Sequence, residues 1–370
     1  MRIGVPKEIK NHEYRVGLSP AGAHVLAAAG HAVRIETRAG AAVGFDDAAY
    51  RAAGAQIVAT ATVAYAADLI IKVKELQPAE FELTHPGQIL FCYQHLAPAP
   101  ALLAAMLERN VSCIAYETVT AADGSLPLLV PMSEIAGRLA TQAGAWALQM
   151  ANGGSGILLS GVPGVAPGKV VIIGGGTVGA NAAKIAIGMG ADVMLLERSA
   201  ERLRRLEEMF GARLKTRISN PDAIATLVRD ADLVIGAVLL PGKLSPKLIH
   251  RADLEQMRPG SVIVDVGIDQ GGIAETSHPT SHSDPLYVES GVVHYCVPNM
   301  PSAVARTATL ALTQATLPYA VELAAQGLRA ALAADAGLCG GLQVHAGRVT
   351  HRDLAADVGR PYVSAAEALA

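Results

Sequence analysis

Cysteine is scarce in this sequence, and the spacing of its few cysteines does not match that of disulfide-rich or zinc-binding proteins. The four cysteines, Cys92, Cys113, Cys296 and Cys339, lie far apart and form no C-x-x-C pair. Neither a disulfide framework nor a zinc site of the common spacing is therefore expected. Reduced core thiols in a cytoplasmic protein are the favoured interpretation.

The sequence also lacks an excess of charge of either sign. Its 30 lysine and arginine residues stand against 33 aspartate and glutamate residues, which gives a formal net charge of −3. This balance offers no basis for a nucleic-acid phosphate track or a basic membrane patch. Because 51% of the 370 residues are hydrophobic and 17% are charged, we expect a folded chain, and its length predicts two domains.

Leader and membrane segments are not expected either. The opening MRIGVPKEIKNHEYR carries several charges and has no apolar core, unlike a signal peptide. The longest stretch without charge, residues 139–168, contains glutamines, an asparagine, a glycine pair and Pro163. We expect it to form a buried helix followed by a loop rather than a membrane span.

Short apolar strands alternate with helical segments in two successive series. The predicted strands are residues 2–5, 32–36, 68–73 and 112–116 in the first series, and 170–173, 192–196, 213–217, 232–235 and 261–265 in the second. The predicted helices are 20–29, 99–109, 133–150 (capped by Ser133) and 303–326. This rhythm predicts an α/β fold with parallel sheets covered by helices. We expect two Rossmann-like domains, with a nucleotide-binding domain of residues 133–301 inserted in a discontinuous domain of residues 1–132 and 302–370.

A glycine-rich turn opens the second series. Gly174, Gly176 and Gly179 form G-x-G-x-x-G between an apolar strand and a helix, and Glu197 closes the next strand 18 residues after Gly179. In a dinucleotide site the glycines permit a tight turn, close approach of the pyrophosphate and close helix packing. The pyrophosphate lies at the helix N-terminus, and the acid accepts hydrogen bonds from the ribose hydroxyls. A glycine turn used only for packing is the alternative, and the position of Glu197 disfavours it.

The acid at Glu197 also favours NAD as the cofactor. Its charge would repel the 2′-phosphate of NADP, although the neighbouring Arg198 leaves that choice less certain. Arg202, one helical turn later, could contact the adenosine ribose or its phosphate, and a solvated helix face is an equally good interpretation.

Four side chains elsewhere are candidates for chemistry on a small acid, which needs a cation for the carboxylate and an acid–base group. Arg15 lies in a polar loop after the first strand, Lys74 and His95 each follow an apolar strand, and Asp269 follows the 261–265 strand beside a glycine pair. All four fall at strand ends that could face one crevice. Taken singly, each has a plainer interpretation as a solvated charge, a core histidine or a turn residue.

The cluster HPTSHSD, with His278, His282 and Asp284, has the residue types of a metal site. Its proline and serines favour an ordered loop, and we expect no metal.

Together these segments resemble the alanine dehydrogenase family, which includes the nucleotide-binding subunit of pyridine nucleotide transhydrogenase. The resemblance covers essentially the whole chain and is carried by MRIGVPKEIKNHEYRVGLSP, IIKVKE, YQHLAP, VVIIGGGTVG, DVGIDQGG, HSDP and VPNMPSAVARTAT. It implies reversible oxidative deamination of L-alanine by NAD to pyruvate, ammonia and NADH, by a homohexamer. From the charge balance, we expect no nucleic-acid or membrane partner.

The resemblance also implies roles for individual residues. Arg15 and Lys74 would hold the substrate carboxylate and carbonyl region, Met132 and Asn299 would line the cleft, His95 would carry the proton, and Asp269 would assist ammonia and water. The residues around the cofactor would be Ser133, Gly174, Gly176, Thr177, Val178, Gly179, Glu197, Arg202, Ser219, Val238, Leu239, Val266, Gly267, Ile268, Asp269, Val297, Pro298, Asn299 and Met300.

Two positions depart from the family pattern, because Gly267 replaces an expected alanine and Glu197 an expected aspartate. The longer glutamate puts ribose geometry and NAD affinity in question. The alternative functions are the transhydrogenase subunit, a related dehydrogenase such as one that forms saccharopine, and an NAD-binding protein without activity. Lys74 and His95 disfavour the first alternative, and the full-length match disfavours the second. The third would not need His95 and Asp269.

Overall fold

The computed structural model of the chain describes residues 1–238 and 244–370. Their contacts divide the chain into two compact units. Unit 1 consists of Met1–Met132 and Val304–Ala370, and unit 2 consists of Ser133–Ala303. Unit 1 is thus discontinuous in sequence, and unit 2 is inserted in it.

The strands are numbered along the chain. They are β1 Arg2–Val5, β2 Ala32–Glu36, β3 Gln56–Val58, β4 Leu69–Ile71, β5 Ile89–Cys92, β6 Ser112–Ala115, β7 Lys169–Ile173, β8 Asp192–Glu197, β9 Lys215–Ile218, β10 Leu233–Gly236, β11 Val262–Asp265, β12 Leu286–Glu289, β13 Val292–Tyr295, β14 Leu342–His345 and β15 Arg348–Val349.

The α-helices are numbered in the same way. They are α1 Pro20–Ala28, α2 Asp47–Ala52, α3 Ala61–Tyr65, α4 Pro78–Phe81, α5 Pro100–Glu108, α6 Val130–Ala147, α7 Thr177–Gly188, α8 Ala200–Phe210, α9 Pro221–Arg229, α10 Arg251–Leu254, α11 Ala305–Gln326, α12 Leu328–Ala334, α13 Ala336–Gly340, α14 Arg352–Asp357 and α15 Ala365–Leu369.

Each unit is built on one sheet. Within the described residues, unit 1 has an eight-stranded sheet in the order β15-β14-β6-β5-β4-β1-β2-β3, and unit 2 has a seven-stranded sheet in the order β12-β13-β11-β10-β7-β8-β9. The central strands of both sheets are parallel, as in β7 beside β8 and β10. Strands such as β10 and β11 are buried along their whole length, as expected when helices cover both faces. The predicted α/β class with two Rossmann-like domains is confirmed.

One edge of each sheet departs from the parallel expectation. In unit 1, β14 pairs antiparallel with β6 and with β15. In unit 2, β12 pairs antiparallel with β13 through the turn at Ser290 and Gly291. Short antiparallel connections need no crossover helix, so the alternation of strand and helix does not reveal them.

The start of α6 differs from its prediction. The sequence predicts a helix capped by Ser133, but the helix begins at Val130, so Ser133 lies inside its first turn and that prediction is wrong. Pro131 explains the difference, because proline is tolerated in the first turn, where its missing N–H has no helical partner to lose. The Val130 N–H already donates to the Leu126 carbonyl at 3.0 Å.

Candidate active site and nucleotide site

The carboxyl edge of the unit 1 sheet carries the polar residues of the candidate active site. Neighbouring parallel strands β6, β5 and β4 are followed by Glu117, His95 and Lys74, and the loop after β1 carries Arg15. In open α/β sheets this edge is where ligands bind. The three residues of unit 1 predicted for chemistry therefore belong to adjacent strand ends, and a fourth group, Glu117, joins them.

Arg15 is held by an internal carboxylate. Its Nε donates to Glu13 Oε1 at 2.7 Å and its Nη2 donates to Glu13 Oε2 at 2.6 Å, and both side chains are fully buried. Burial would lower the pKa of the guanidinium, but the hydrogen bonds and charge of Glu13 outweigh it and raise that pKa. The Nη1 group points to the Met132 sulfur at 3.1 Å. Arg15 and Met132, predicted separately as substrate contacts, are thus direct neighbours.

The buried ring of Tyr93 contacts both Lys74 and His95. The Lys74 ammonium lies 5.6 Å from the centre of the Tyr93 ring, and the His95 ring stacks on Tyr93 with centroids 6.1 Å apart and an interplanar angle of 11°. The Tyr93 hydroxyl donates to the Leu128 carbonyl at 2.6 Å, and burial raises the pKa of the phenol. Tyr93 therefore acts as a fixed apolar platform on which Lys74 and His95 are placed.

His95 has an unusual backbone conformation. Its φ is +44°, in the left-handed region that non-glycine residues rarely adopt. The His95 N–H donates to Glu117 Oε1 at 2.7 Å, and the Gln94 N–H donates to both carboxylate oxygens at 3.1 and 3.2 Å. The imidazole itself is half exposed, with Nδ1 3.8 Å from Glu117 Oε1. The chain is thus bent at His95 so that the ring stays accessible.

A buried charge network lies behind Lys74. The Lys72 ammonium is 2.7 Å from Glu80 Oε1 and 3.2 Å from Glu8 Oε2, with all three side chains inaccessible to water. Burial would lower the pKa of Lys72, but the two carboxylates raise it. Glu8 also accepts the Val73 and Lys74 N–H groups at 2.6 and 3.3 Å. This network fixes the backbone that carries Lys74.

Sequence reasoning missed Glu13, Tyr93 and Glu117. The rule that selected Lys74 and His95, a polar residue just beyond a buried parallel strand, also selects Glu117 after β6. No comparable signal marks Glu13, because an acid two residues from an arginine is usually a solvated surface pair.

In unit 2, the glycine-rich turn has the form that a dinucleotide needs. Gly174 has a φ of +105°, and a Cβ on Gly179 would lie 1.8 Å from the Gly174 carbonyl oxygen, so both positions require glycine. A Cβ on Gly176 would meet no atom within 4 Å, and Gly176 starts α7 without a side-chain cap. The first turn thus has no side-chain cap, and the space beside Gly176 is open. Pyrophosphate binds in such a space, so these residues fit a dinucleotide.

Glu197 closes β8 beside this turn. Its carboxylate accepts N–H groups from Gly175 at 2.8 Å, Arg198 at 2.7 Å and Ser199 at 3.0 Å, and lies 3.4 Å from the Arg202 guanidinium. Burial opposes ionisation, but these donors hold the pKa of Glu197 below its usual range. A carboxylate has about four acceptor positions, and all four are used here. The exposed Arg202 makes the longest of the four contacts.

Asp269 lies on a turn held by a buried carboxyl group and a lysine. It is exposed on the 3₁₀-helix Val266–Gln270, which follows β11. The last residue of β11, Asp265, is buried and accepts the Ile273 N–H at 2.7 Å and the Ser277 hydroxyl at 2.6 Å. The Lys247 ammonium donates to the carbonyls of Gly272 at 3.0 Å and Ala274 at 2.9 Å. The segment on both sides of Asp269 is therefore fixed from within unit 2.

The other predicted cofactor residues are spread over unit 2. Ser219 follows β9 and donates its N–H to the Glu197 carbonyl at 3.0 Å, which places it beside the acid. Val238 lies just after β10, and Asn299, with a φ of +55°, precedes the buried Met300. Thr177 and Val178 open α7, Val266, Gly267 and Ile268 precede Asp269, Val297 and Pro298 follow β13, and Leu239 lies outside the described residues.

The histidine-rich loop makes internal contacts. His278 stacks on Tyr287 with centroids 3.8 Å apart, and the His282 Nε2 lies 2.9 Å from the Ser302 hydroxyl. In the part of the chain that the structure describes, no group of three metal-binding side chains is close enough to hold an ion. In residues 1–238 and 244–370, no helix is both long and apolar enough to cross a bilayer.

Two doubly wound sheets and a glycine turn at an uncapped helix define a two-domain α/β protein of the dinucleotide-binding class. Residues 4–136 match the N-terminal domain and residues 140–352 the C-terminal domain of the alanine dehydrogenase/PNT family. The chain belongs to this family.

Individual relatives agree with this assignment. The chain is 54% identical over 367 residues to the alanine dehydrogenase of Halomonas elongata, which covers 99% of both chains. It is similar to a solved L-alanine dehydrogenase structure, with a TM-score of 0.95, 54% identity, and coverage of 97% of this chain and 99% of the other. A transhydrogenase structure from Sinorhizobium meliloti has a TM-score of 0.81 at 23% identity, covering 95% and 99%, and shares the fold.

Proposed function

We propose that the protein is an NAD-dependent L-alanine dehydrogenase. It converts L-alanine, water and NAD⁺ reversibly to pyruvate, ammonium and NADH with release of a proton. The observation that carries the proposal is the set of Arg15, Lys74 and His95 on adjacent strand ends, in a chain 54% identical to a protein named alanine dehydrogenase over nearly its full length. The transhydrogenase alternative rests on a relative of 23% identity, which supports the fold alone.

Arg15 and Lys74 supply the positive charge for the substrate carboxylate and carbonyl. The Nε and Nη2 side of Arg15 is used by Glu13, so a substrate carboxylate would be bound from the side of Nη1, next to Met132. Lys74 stabilises negative charge that develops on the substrate oxygen. This arrangement suits a 2-amino or 2-oxo acid.

His95 is the proposed proton carrier. When bound, NAD accepts the hydride from the substrate α-carbon. Water then adds to the resulting iminium, and His95 takes and returns the protons as the adduct breaks down to pyruvate and ammonia. Its ring is half exposed and seated on Tyr93, so it can reach a substrate without losing its orientation. Asp269 is proposed to assist ammonia and water.

Unit 2 is proposed to hold the cofactor. The open space at Gly176 takes the pyrophosphate, and Glu197 takes the adenosine ribose and disfavours a 2′-phosphate. The predicted set of Ser133, Ser219, Val238, Leu239, the 266–269 turn and 297–300 completes the site. In this proposal the substrate binds to the domain of residues 1–132 and 302–370. The cofactor binds to the domain of residues 133–301.

We also propose that six copies assemble and that the enzyme works in the cytoplasm. An exposed apolar surface on unit 2 supports self-association. Met150 and Leu158 line a groove there of about 350 Å³, and Trp146, Val162 and Val165 are further exposed apolar side chains of the same unit. The free state of the four cysteines supports a reducing compartment.

The test follows NADH absorbance with purified protein, pyruvate and ammonium, with NADPH and ammonium-free reactions alongside. We expect ammonium-dependent NADH oxidation that His95→Ala reduces by about 10²–10⁴-fold, the usual contribution of a general acid–base group. Tight NADH binding without turnover would overturn the proposal. An Arg15→Ala variant with normal pyruvate affinity would overturn the carboxylate assignment alone.

A further inference from the structure

Glu117 contacts both the backbone and the ring of His95. It lies on the 3₁₀-helix Tyr116–Thr118 directly after β6, the strand next to β5. Its side chain is largely buried, with 19% exposed, whereas the His95 side chain is 45% exposed. The carboxylate therefore approaches His95 from the protein side and leaves the opposite side of the ring to a ligand.

The backbone contacts keep His95 in its rare conformation. Glu117 accepts hydrogen bonds from the backbone N–H groups of Gln94 and His95. These groups lie immediately before the His95 Cα, where the φ is +44°. A left-handed conformation is unfavourable for a non-glycine residue, so it persists only where surrounding contacts hold it. Glu117 provides these contacts.

The ring contact determines which nitrogen can act. Nδ1 is the ring nitrogen beside Glu117 Oε1, at 3.8 Å. An ionised carboxylate only accepts hydrogen bonds, so it favours the ring form with a proton on the nitrogen that faces it. The second nitrogen, Nε2, then carries the lone pair. At 3.8 Å this contact is longer than a hydrogen bond, and catalytic contacts of this kind often shorten to one in the substrate complex.

We propose that Glu117 is the positioning residue of His95. It holds the turn at His95, keeps the proton on Nδ1 and stabilises the imidazolium, so that Nε2 exchanges protons with the substrate. The inference rests on the proposed function, because it assigns the partner of the proton carrier in that reaction. Tyr93 fixes the plane of the same ring by stacking.

The test is a double-mutant cycle on His95 and Glu117. Glu117→Gln keeps a carbonyl oxygen for the two backbone N–H groups and removes the charge. We expect kcat to fall about 10-fold or more in Glu117→Gln and about 10²–10⁴-fold in Glu117→Ala, with the KM for pyruvate and the affinity for NADH little changed. Glu82→Gln is the matched control, because it neutralises a surface carboxylate of the same unit that pairs with Arg109.

The cycle separates positioning from a general structural role. If Glu117 acts through His95, the loss in the double variant His95→Ala, Glu117→Gln equals the loss in His95→Ala alone. Losses that multiply would overturn the proposal, as would unchanged kcat in both Glu117 variants.

A readout without turnover keeps this inference separate from the proposed function. Solid-state ¹⁵N NMR of ring-labelled histidines, with the His95 signal assigned by its absence in His95→Ala, reports which nitrogen carries the proton. We expect Nδ1–H in the native protein and a larger share of Nε2–H in Glu117→Ala. Native His95 with its proton on Nε2 would overturn the role of Glu117 even if the enzyme is active. The expected tautomer in a protein without alanine-dependent turnover would overturn the proposed function instead.

Discussion

Arg15 and Glu13, two residues apart in the chain, form a buried pair in which Nε and Nη2 of the guanidinium each donate to one carboxylate oxygen. The pair fixes the plane of the guanidinium before any ligand is present. It also neutralises a charge that would otherwise be costly to bury, since removing one partner of a buried pair leaves the other charge poorly compensated.

Glu13→Gln should therefore destabilise unit 1. The substitution keeps the shape of the side chain but removes the charge opposite Arg15, and we expect the free energy of unfolding to fall by about 3 kcal/mol or more. Urea unfolding without cofactor measures this. Glu82→Gln, which breaks an exposed pair with Arg109, should cost less than about 1 kcal/mol. Equal effects of the two substitutions would show that Glu13 does not compensate Arg15.

Two glycines of the dinucleotide turn should respond differently to a side chain. Gly176→Ser places a side chain in open space at a helix start where serine is a favourable cap, so stability should be kept. NADH affinity should fall about 10-fold or more, because the side chain occupies the proposed pyrophosphate position. Calorimetric titration with NADH measures it, and unchanged affinity would place the cofactor elsewhere.

Gly179→Ala is the contrasting variant. A Cβ there would overlap the Gly174 carbonyl oxygen, so the variant should lose about 1–3 kcal/mol of stability as well as NADH affinity. An unchanged midpoint of thermal unfolding in Gly179→Ala would show that the close packing of α7 on the turn does not require glycine at this position.

Glu197 should determine the choice of cofactor. Glu197→Gln removes the charge that opposes a 2′-phosphate while keeping an acceptor for the Gly175 N–H. We expect the preference for NADH over NADPH, expressed as the ratio of kcat/KM values, to narrow by about 10-fold, equivalent to about 1.4 kcal/mol. An unchanged ratio would assign the discrimination to other groups.

Asp265 should make stability depend on pH. Burial raises the pKa of this carboxyl above its ordinary value of 3.8, and its Oδ1 has no hydrogen-bond partner among the described residues. Because the folded protein opposes ionisation of Asp265, this carboxyl contributes its full stability below the ordinary pKa of 3.8. That contribution is lost as the pH rises through the pKa of the folded state. Stability of Asp265→Asn relative to the native protein should therefore increase from about pH 4 to about pH 8.

Urea unfolding of Asp265→Asn and of the native protein, from about pH 4 to about pH 8, measures how the difference in their unfolding free energies changes with pH. Asp222→Asn, at a side chain that is 90% exposed, should show no comparable trend. A trend of opposite sign would mean that Asp265 is ionised and well compensated in the folded protein.

The apolar surface of unit 2 should control assembly. A double substitution of Leu158 and Val165 by aspartate places charges where two copies are proposed to meet, so the mass measured by light scattering should fall below six times the chain mass of 38.1 kDa. Met209→Asp, at another exposed apolar residue of unit 2, is the control and should leave the mass unchanged. An unchanged mass in the double variant would move the interface to another surface.

Local patterns predicted many of the parallel strands but missed β3 and β13, which also pair parallel with their neighbours. Strands β1 and β2 have the predicted bounds, and the helix after Gly176 begins where the glycine pattern indicates. Pattern reasoning failed where a distant partner decides the structure. The pairing of β14 with β6 depends on residues far apart in sequence, and Glu117 acquires its contacts only when β5 and β6 are neighbours.

The insertion of unit 2 in unit 1 has a consequence for the order of events during synthesis. Residues 133–303 are complete before unit 1 has received α11 or its last two strands. β6 pairs with β14, and the Ser112 hydroxyl meets His345 across 233 residues. On the ribosome, the unit that begins first is therefore completed last. The buried edge of β6 remains open to other chains until residue 345 has emerged.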